Sequence, residues 1–243
     1  MLSALQEDAP ARLAAIRRRI AAACGRSGRA AGEVVLIGAS KTHPAAILAP
    51  YVQAGLMVLG ENRVQEALAK SRELPLAIEW HLLGPLQSNK VRLALDLFRS
   101  IHSVDRAAIA AALDREAGRR GLAVSGFLEV NLGNEPSKHG FAPETLAVEA
   151  EPLSGLPHLR IIGLMAIPPQ AASPEGSRPW FRKLRQLRDE LAARPEWTGF
   201  PGKLSIGMSD DFEVAIEEGA THVRVGTALF GPRPPRREAL LSG

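Results

Sequence analysis

VVLIGASKTHPAAILAPYVQAGLMVLGEN, residues 34–62, is the stretch whose reading decides the fold. It opens on an apolar run, Val34 to Ile37, which shrinks to Gly38, Ala39 and Ser40 and then meets Lys41. Pro44 forbids the strand from continuing, because proline has no N–H for a ladder. A helical segment returns the chain to a second apolar run, Leu56 to Leu59, closed by Gly60, Glu61 and Asn62. The pattern predicts two strands whose carboxyl ends carry polar groups side by side.

Lys41 is one of only six lysines among 30 Lys+Arg, so it is not simply the default surface cation of this chain. Buried against Gly, Ala and Ser, a lysine shifts its pKa downward and can attack an aldehyde as an amine. The plainer reading is a lysine snorkelling to the surface at a strand terminus.

Outward from this stretch the same unit repeats. Strand-like runs fall at 34–39, 56–60, 78–83, 100–103, 124–131, 161–166, 203–206 and 221–225. Helix-like segments lie between them at 45–54, 62–73, 88–97, 105–119, 143–152, 174–193 and 209–218. Such alternation argues for a parallel sheet of right-handed crossover units. Eight mostly apolar strands in about 210 residues fit a (β/α)8 TIM barrel better than an open doubly wound sheet. No G-x-G-x-x-G follows the first strand, which weakens a dinucleotide-binding reading.

The chain reads as a single domain over 1–243, with an extra N-terminal helix at 8–24, the barrel at 33–231 and a flexible Pro/Arg tail at 232–243. In the helix, Asp8 suits the cap, Pro10 the first turn, and Leu13, Ile16, Ile20 and Ala23 form one stripe. Cys24 is the only cysteine, which excludes an intramolecular disulfide or a cysteine-based zinc site. The N-terminus has acidic residues and no apolar core, and no run approaches the ~20 residues of a membrane span, so a cytoplasmic location is expected. The net charge of +4 is spread, and aromatic residues are 5%, so the arginines read as a solvated face rather than a nucleic-acid surface.

Polar residues cluster where the strands end: Lys41, Asn62, His81, His102-Ser103, Asn131, Ser205 and Arg224, with Met165 among them. In a barrel these positions are expected on one rim, where active sites are built. The loops after strands 7 and 8 are the usual phosphate site, and Gly226-Thr227 offers amides and a hydroxyl there. Ser209, Asp210 and Asp211 read instead as helix capping. The phosphate is therefore expected near Gly226, Thr227 and the Ser205 strand end. Arg224, two residues before Gly226, would keep a facing pyridine nitrogen unprotonated. His43 reads as facing solvent, and His158 and His222 as structural.

With these residues in hand the chain resembles the pyridoxal phosphate homeostasis protein family, itself similar to the barrel domain of alanine racemase. The resemblance covers roughly Glu33 to Gly231 and rests on ASKTHP around Lys41, GENRVQE at 60–66, WHLLGPLQSNK at 80–90, SIHSVDR at 100–106, VNLGNEPSKHG at 130–140, GLMAIPP at 163–169, LSIGMSDDFEVAI and VRVGTALFG. The departures are Ala39, where a larger aliphatic is usual, and Ile206, where methionine is usual.

The resemblance implies pyridoxal 5′-phosphate held as an aldimine on Lys41. It also implies Asn62, His81 and Met165 near the cofactor, Arg224 toward the ring nitrogen, and Ser205, Gly226 and Thr227 around the phosphate. It implies a protein without established turnover that supplies cofactor, with apo-enzymes as acceptors, and that acts in amino-acid and keto-acid balance. No metal, nucleic acid or membrane is implied, and a monomer is expected. The alternative is a racemase-like enzyme. That chemistry needs an acid/base on each face of the substrate carbon, and the sole tyrosine, Tyr51, falls inside the first barrel helix.

Overall fold

The computed structural model describes residues 8–135 and 138–232. The tail expected at 232–243 lies outside the described residues from 233 onward. Eight parallel strands close in chain order: β1 (Val35–Ala39), β2 (Val58–Glu61), β3 (Glu79–Leu82), β4 (Ser100–Val104), β5 (Val124–Glu129), β6 (Leu159–Met165), β7 (Lys203–Ser205) and β8 (His222–Val225). Closure pairs β1 with β8, Ile37 opposite Arg224 and Gly38 opposite Val225. The barrel expected from the alternating pattern is the fold, and the open sheet is excluded.

Helices cover the barrel: α1 (Ala9–Arg26), α2 (Ala45–Gln53), α3 (Val64–Ser71), α4 (Val91–Ala94), α5 (Ala107–Arg119), α6 (Leu146–Ala150), α7 (Arg178–Ala192), α8 (Phe212–Glu217) and α9 (Thr227–Phe230). The segments expected at 88–97 and 143–152 hold only short α-helices, each flanked by a 3₁₀ turn. In the second, Pro152 has no N–H to extend the ladder of α6.

α1 lies outside the barrel and buries Leu13, Ile16, Ile20 and Ala23 against α8, α9 and α2, as its stripe predicts. Asp8 occupies the cap position, but its carboxylate pairs with Arg12 at 3.1 Å instead of capping a backbone N–H. Two arginines of α1, expected to be part of a solvated face, are not merely solvated. Arg17 donates to the Gly55 carbonyl at 2.7 Å, and Arg19 holds Glu213 with bonds of 2.6 and 2.9 Å while lying over the Phe212 ring. They fasten α1 to the barrel. Among the described residues no helix is long and apolar enough to cross a membrane.

Alternate strand residues point inward, and two glycines set how closely elements approach one another. A Cβ on Gly163 in β6 would stand 2.1 Å from the Lys203 carbonyl oxygen of β7. A Cβ on Gly84, just past β3, would stand 2.5 Å from the Asn62 carbonyl oxygen. Only glycine lets the loop after β3 rest on the end of β2.

Candidate functional site

The carboxyl ends of β1 and β2 are locked together by a buried ion pair. Lys70 of α3 reaches the Glu61 carboxylate, and neither side chain is more than 10% exposed. Ser40 ties this pair to β1: its hydroxyl donates to Glu61 Oε1 at 2.8 Å, and its carbonyl accepts from Lys70 Nζ at 2.9 Å. The next two residues form a tight turn closed by His43 N–H on the Ser40 carbonyl. Thr42 has a left-handed φ of 68°, a conformation that costs a non-glycine residue about 1–2 kcal/mol. Lys41 rides on this turn and faces a cavity of about 290 Å³ at the carboxyl end of the barrel.

Lys41, Asn62, Glu129, Arg224, Gly226 and Thr227 all line that cavity. At its floor Arg224 is buried, and its guanidinium donates to the Ser205 carbonyl at 2.5 Å, the Ser205 hydroxyl at 2.8 Å and the Ala166 carbonyl at 2.9 Å. Burial pulls its pKa down to about 10, opposed by the charges of Glu129 and Asp211, so it remains a cation at neutral pH. Just beyond Arg224 the Gly226 and Ala228 amides converge on Ser209 Oγ, both at 3.2 Å. Converging backbone N–H groups around one oxygen form a cradle for an anion. The cavity thus offers a primary amine, a buried guanidinium and an amide cradle.

The structure divides the residues expected on the rim. Lys41, Asn62, Arg224, Gly226 and Thr227 line the cavity; His81, Met165 and Ser205 do not, and all three are buried. The expectation that all strand-end polar residues share one rim is corrected here. β3 is four residues long and begins at Glu79, so His81 sits in mid-strand; it bonds Glu79 below and His102 beside it. Ser205 lies one layer under the cavity, held between His102 and Arg224. The hydroxyl that meets the Gly226 amide belongs to Ser209, which was expected to cap a helix; Asp211 stands at the cap position without a side-chain bond to that helix, its carboxylate accepting instead from the Met208 N–H of the preceding loop at 2.7 Å. Ser103 turns away to the Gly84 carbonyl, and Asn131 secures its own loop through the Glu135 carbonyl. His43 is buried and lines the cavity instead of facing solvent.

Glu129 escaped the sequence reading, because a carboxylate ending an apolar strand carries no motif. Burial, and next the charge of Asp105, push its pKa up to about 7, with Arg224 opposing. A carboxyl that binds its proton more tightly folded than unfolded subtracts from stability once it ionises. The penalty is absent below the ordinary value of 4.5 and complete above about 7. Glu129→Gln should therefore match the parent at acid pH and exceed it at pH 8 by on the order of 2 kcal/mol, allowing for partial exposure. Denaturant midpoints at the two pH values measure this; equal stability at both would show an ordinary carboxylate.

Residues 11–234 match the family model described as "Alanine racemase, N-terminal domain". The chain is 47% identical over 223 residues to a pyridoxal phosphate homeostasis protein of Aquifex aeolicus, covering 91% of this chain and 97% of that one. It is 46% identical over 224 residues to the protein of that name from Pseudomonas aeruginosa, covering 91% and 94%. Among solved structures it is similar to PipY of Synechococcus elongatus with PLP bound, at a TM-score of 0.79 and 40% identity over 91% of this chain and 99% of that one. From its barrel, its cavity and these likenesses, the chain belongs to the pyridoxal phosphate homeostasis protein family.

Proposed function

We propose that this chain holds pyridoxal 5′-phosphate in the Lys41 cavity and supplies it to apo-enzymes that need it, as a cytoplasmic monomer with no turnover of its own. Through that supply it would influence amino-acid and keto-acid balance. The observation that carries the reading is the joint presence of Lys41, Arg224 and the Ser209–Gly226–Ala228 cradle around one cavity. An amine, a donor-only cation and an anion cradle match the aldehyde, the ring nitrogen and the phosphate of one molecule.

When bound, pyridoxal phosphate supplies an aldehyde that a lysine captures reversibly and a ring that delocalises charge. Lys41 provides the amine, on a turn that the Glu61–Lys70 pair prevents from drifting. Gly226 and Ala228 provide amides, with Ser209 and Thr227 as hydroxyls beside them. Arg224 provides N–H donors and keeps its own proton at neutral pH, so a facing nitrogen stays an acceptor. This weakens the ring as an electron sink and suits storage over turnover. Tyr51, the one tyrosine, is buried in α2 with its hydroxyl on the Leu229 carbonyl, and it does not line the cavity.

Loaded protein should reactivate an apo-enzyme that requires the cofactor, and borohydride treatment beforehand should abolish the transfer by fixing the adduct on Lys41. Mass spectrometry locates that adduct; finding it on Lys90 or Lys138 would overturn the assignment. Thr227→Val and Gly226→Val should each weaken cofactor binding. A charge-assisted hydrogen bond is worth roughly 1.5–3 kcal/mol, which corresponds to about ten- to a hundredfold in the dissociation constant. Fluorescence titration measures this, and unchanged affinity in both variants would place the phosphate elsewhere.

A further inference from the structure

Behind Arg224 the barrel interior holds a line of polar side chains that does not line the cavity. Ser205 Oγ, 2.8 Å from Arg224 Nη1, lies 2.8 Å from His102 Nδ1. His102 Nε2 lies 2.9 Å from His81 Nδ1, and His81 Nε2 lies 2.8 Å from a carboxylate oxygen of Glu79. Ser205, His102 and His81 are buried, whereas the Glu79 side chain is 60% exposed where β3 begins. The line joins the cavity floor to solvent at the other mouth of the barrel.

With the Ser205 hydrogen donated and both rings neutral, the chemistry of the two ends orders every hydrogen between them. A guanidinium only donates, so Ser205 Oγ accepts from Arg224. Among the described residues the sole acceptor for the Ser205 hydrogen is then His102 Nδ1. An accepting Nδ1 puts the His102 hydrogen on Nε2, from which it is donated to His81 Nδ1. By the same logic His81 carries its hydrogen on Nε2 and donates it to the Glu79 carboxylate. Every bond dipole points the same way, negative end toward the Arg224 cation and positive end toward the Glu79 anion. The two end charges reinforce the order, as hydrogen-bonded chains in a low dielectric do. Phe127 stacks on the His102 ring at 4.2 Å between centroids and shields the middle of the line. Burial first, and next the cost of adding a charge beside Arg224 or beside a protonated His81 or His222, holds the His102 pKa well below the ordinary imidazole range.

We propose that Ser205, His102, His81 and Glu79 form a one-way hydrogen-bond relay that positions Arg224, so that residues expected at the cofactor act on it from behind. The inference rests on the reading of the cavity as a pyridoxal phosphate site. With its hydrogen committed to His102, Ser205 always presents a lone pair to Nη1. The Ser205 and Ala166 carbonyls take further guanidinium hydrogens, while Nε–H has no protein partner among the described residues. If His102 lost its order, the Ser205 hydroxyl would be free to rotate its hydrogen toward the cation and loosen it.

Long-range ¹H–¹⁵N spectra of the labelled protein without cofactor test the relay at neutral pH. His81 and His102 should both be neutral, with hydrogen on Nε2. In the double variant Ser205→Ala/Glu79→Ala, which removes both groups that fix the order, the His81 and His102 ring nitrogens should shift toward values averaged over two tautomers. Pyridoxal phosphate affinity should fall roughly tenfold in the same variant, as expected for loss of one support of the cation. An Nδ1–H tautomer or an imidazolium in either ring of the parent would overturn the relay. So would unchanged His81 and His102 nitrogens in the folded double variant. Should that variant fail to fold, the ring nitrogens of the parent decide alone: Nε2–H in both rings supports the relay, and any other state in either ring overturns it. Absence of cofactor binding by the parent would defeat the reading of the cavity, and the ring nitrogens would still decide the relay.

Discussion

The site depends on the buried pair of Glu61 and Lys70. Taking two charges out of water is expensive, and the pair persists because Ser40 satisfies both partners: its hydroxyl donates to the carboxylate and its carbonyl accepts from the ammonium. Removing either charge alone would strand the other in the core, at a cost of about 3–5 kcal/mol. An apolar replacement of both could be as stable, so stability is not what the pair is placed for. It welds the end of β1 to the end of β2 and to α3. Lys41 and Asn62, each one residue beyond a member of this cluster, inherit its rigidity.

A second constraint runs through the barrel. The interior of a (β/α)8 barrel is usually packed with branched apolar side chains, yet here three histidines, a serine and an arginine occupy part of it. Each must find partners in a dry space, and each does: His222 bonds the Thr221 hydroxyl, and the others join the line that ends at Glu79. A cation at the floor of a cavity needs such support, because no carboxylate touches Arg224 directly among the described residues.

The repeat of apolar runs and helical segments was enough to give the barrel, because closure of eight parallel strands leaves few alternatives. Lys41 was readable because a small-residue run leads into it and Pro44 follows. Arg224, Gly226 and Thr227 were readable because the loop after the eighth strand has a standard use. Height within the barrel was not readable. Strands of three to seven residues start at staggered levels, so a polar residue near a strand end can lie one layer below the cavity, as His81 and Ser205 do. Ser209 was misread because a serine before two aspartates looks the same whether it caps its own helix or meets the Gly226 amide. Glu129 and the Glu61–Lys70 pair depend on contacts between segments, and no local pattern announces them.

On the proposed reading, the cavity grips a reactive cofactor while withholding what turnover requires. Arg224 would disfavour protonation of a ring nitrogen facing it, and the one tyrosine is occupied elsewhere. Glu129 is the feature that favours catalysis, since a carboxyl titrating about 7 in the same cavity is suited to move a proton. The measurement that decides between holding and catalysis is α-deuterium exchange. Loaded protein is incubated with amino acids in heavy water, and the α-hydrogen is followed by proton NMR together with the enantiomeric composition. A protein that only holds and supplies the cofactor should show no exchange or racemisation above that caused by free cofactor. Sustained exchange with racemisation, lost in Lys41→Ala and reduced in Glu129→Gln, would contradict that reading.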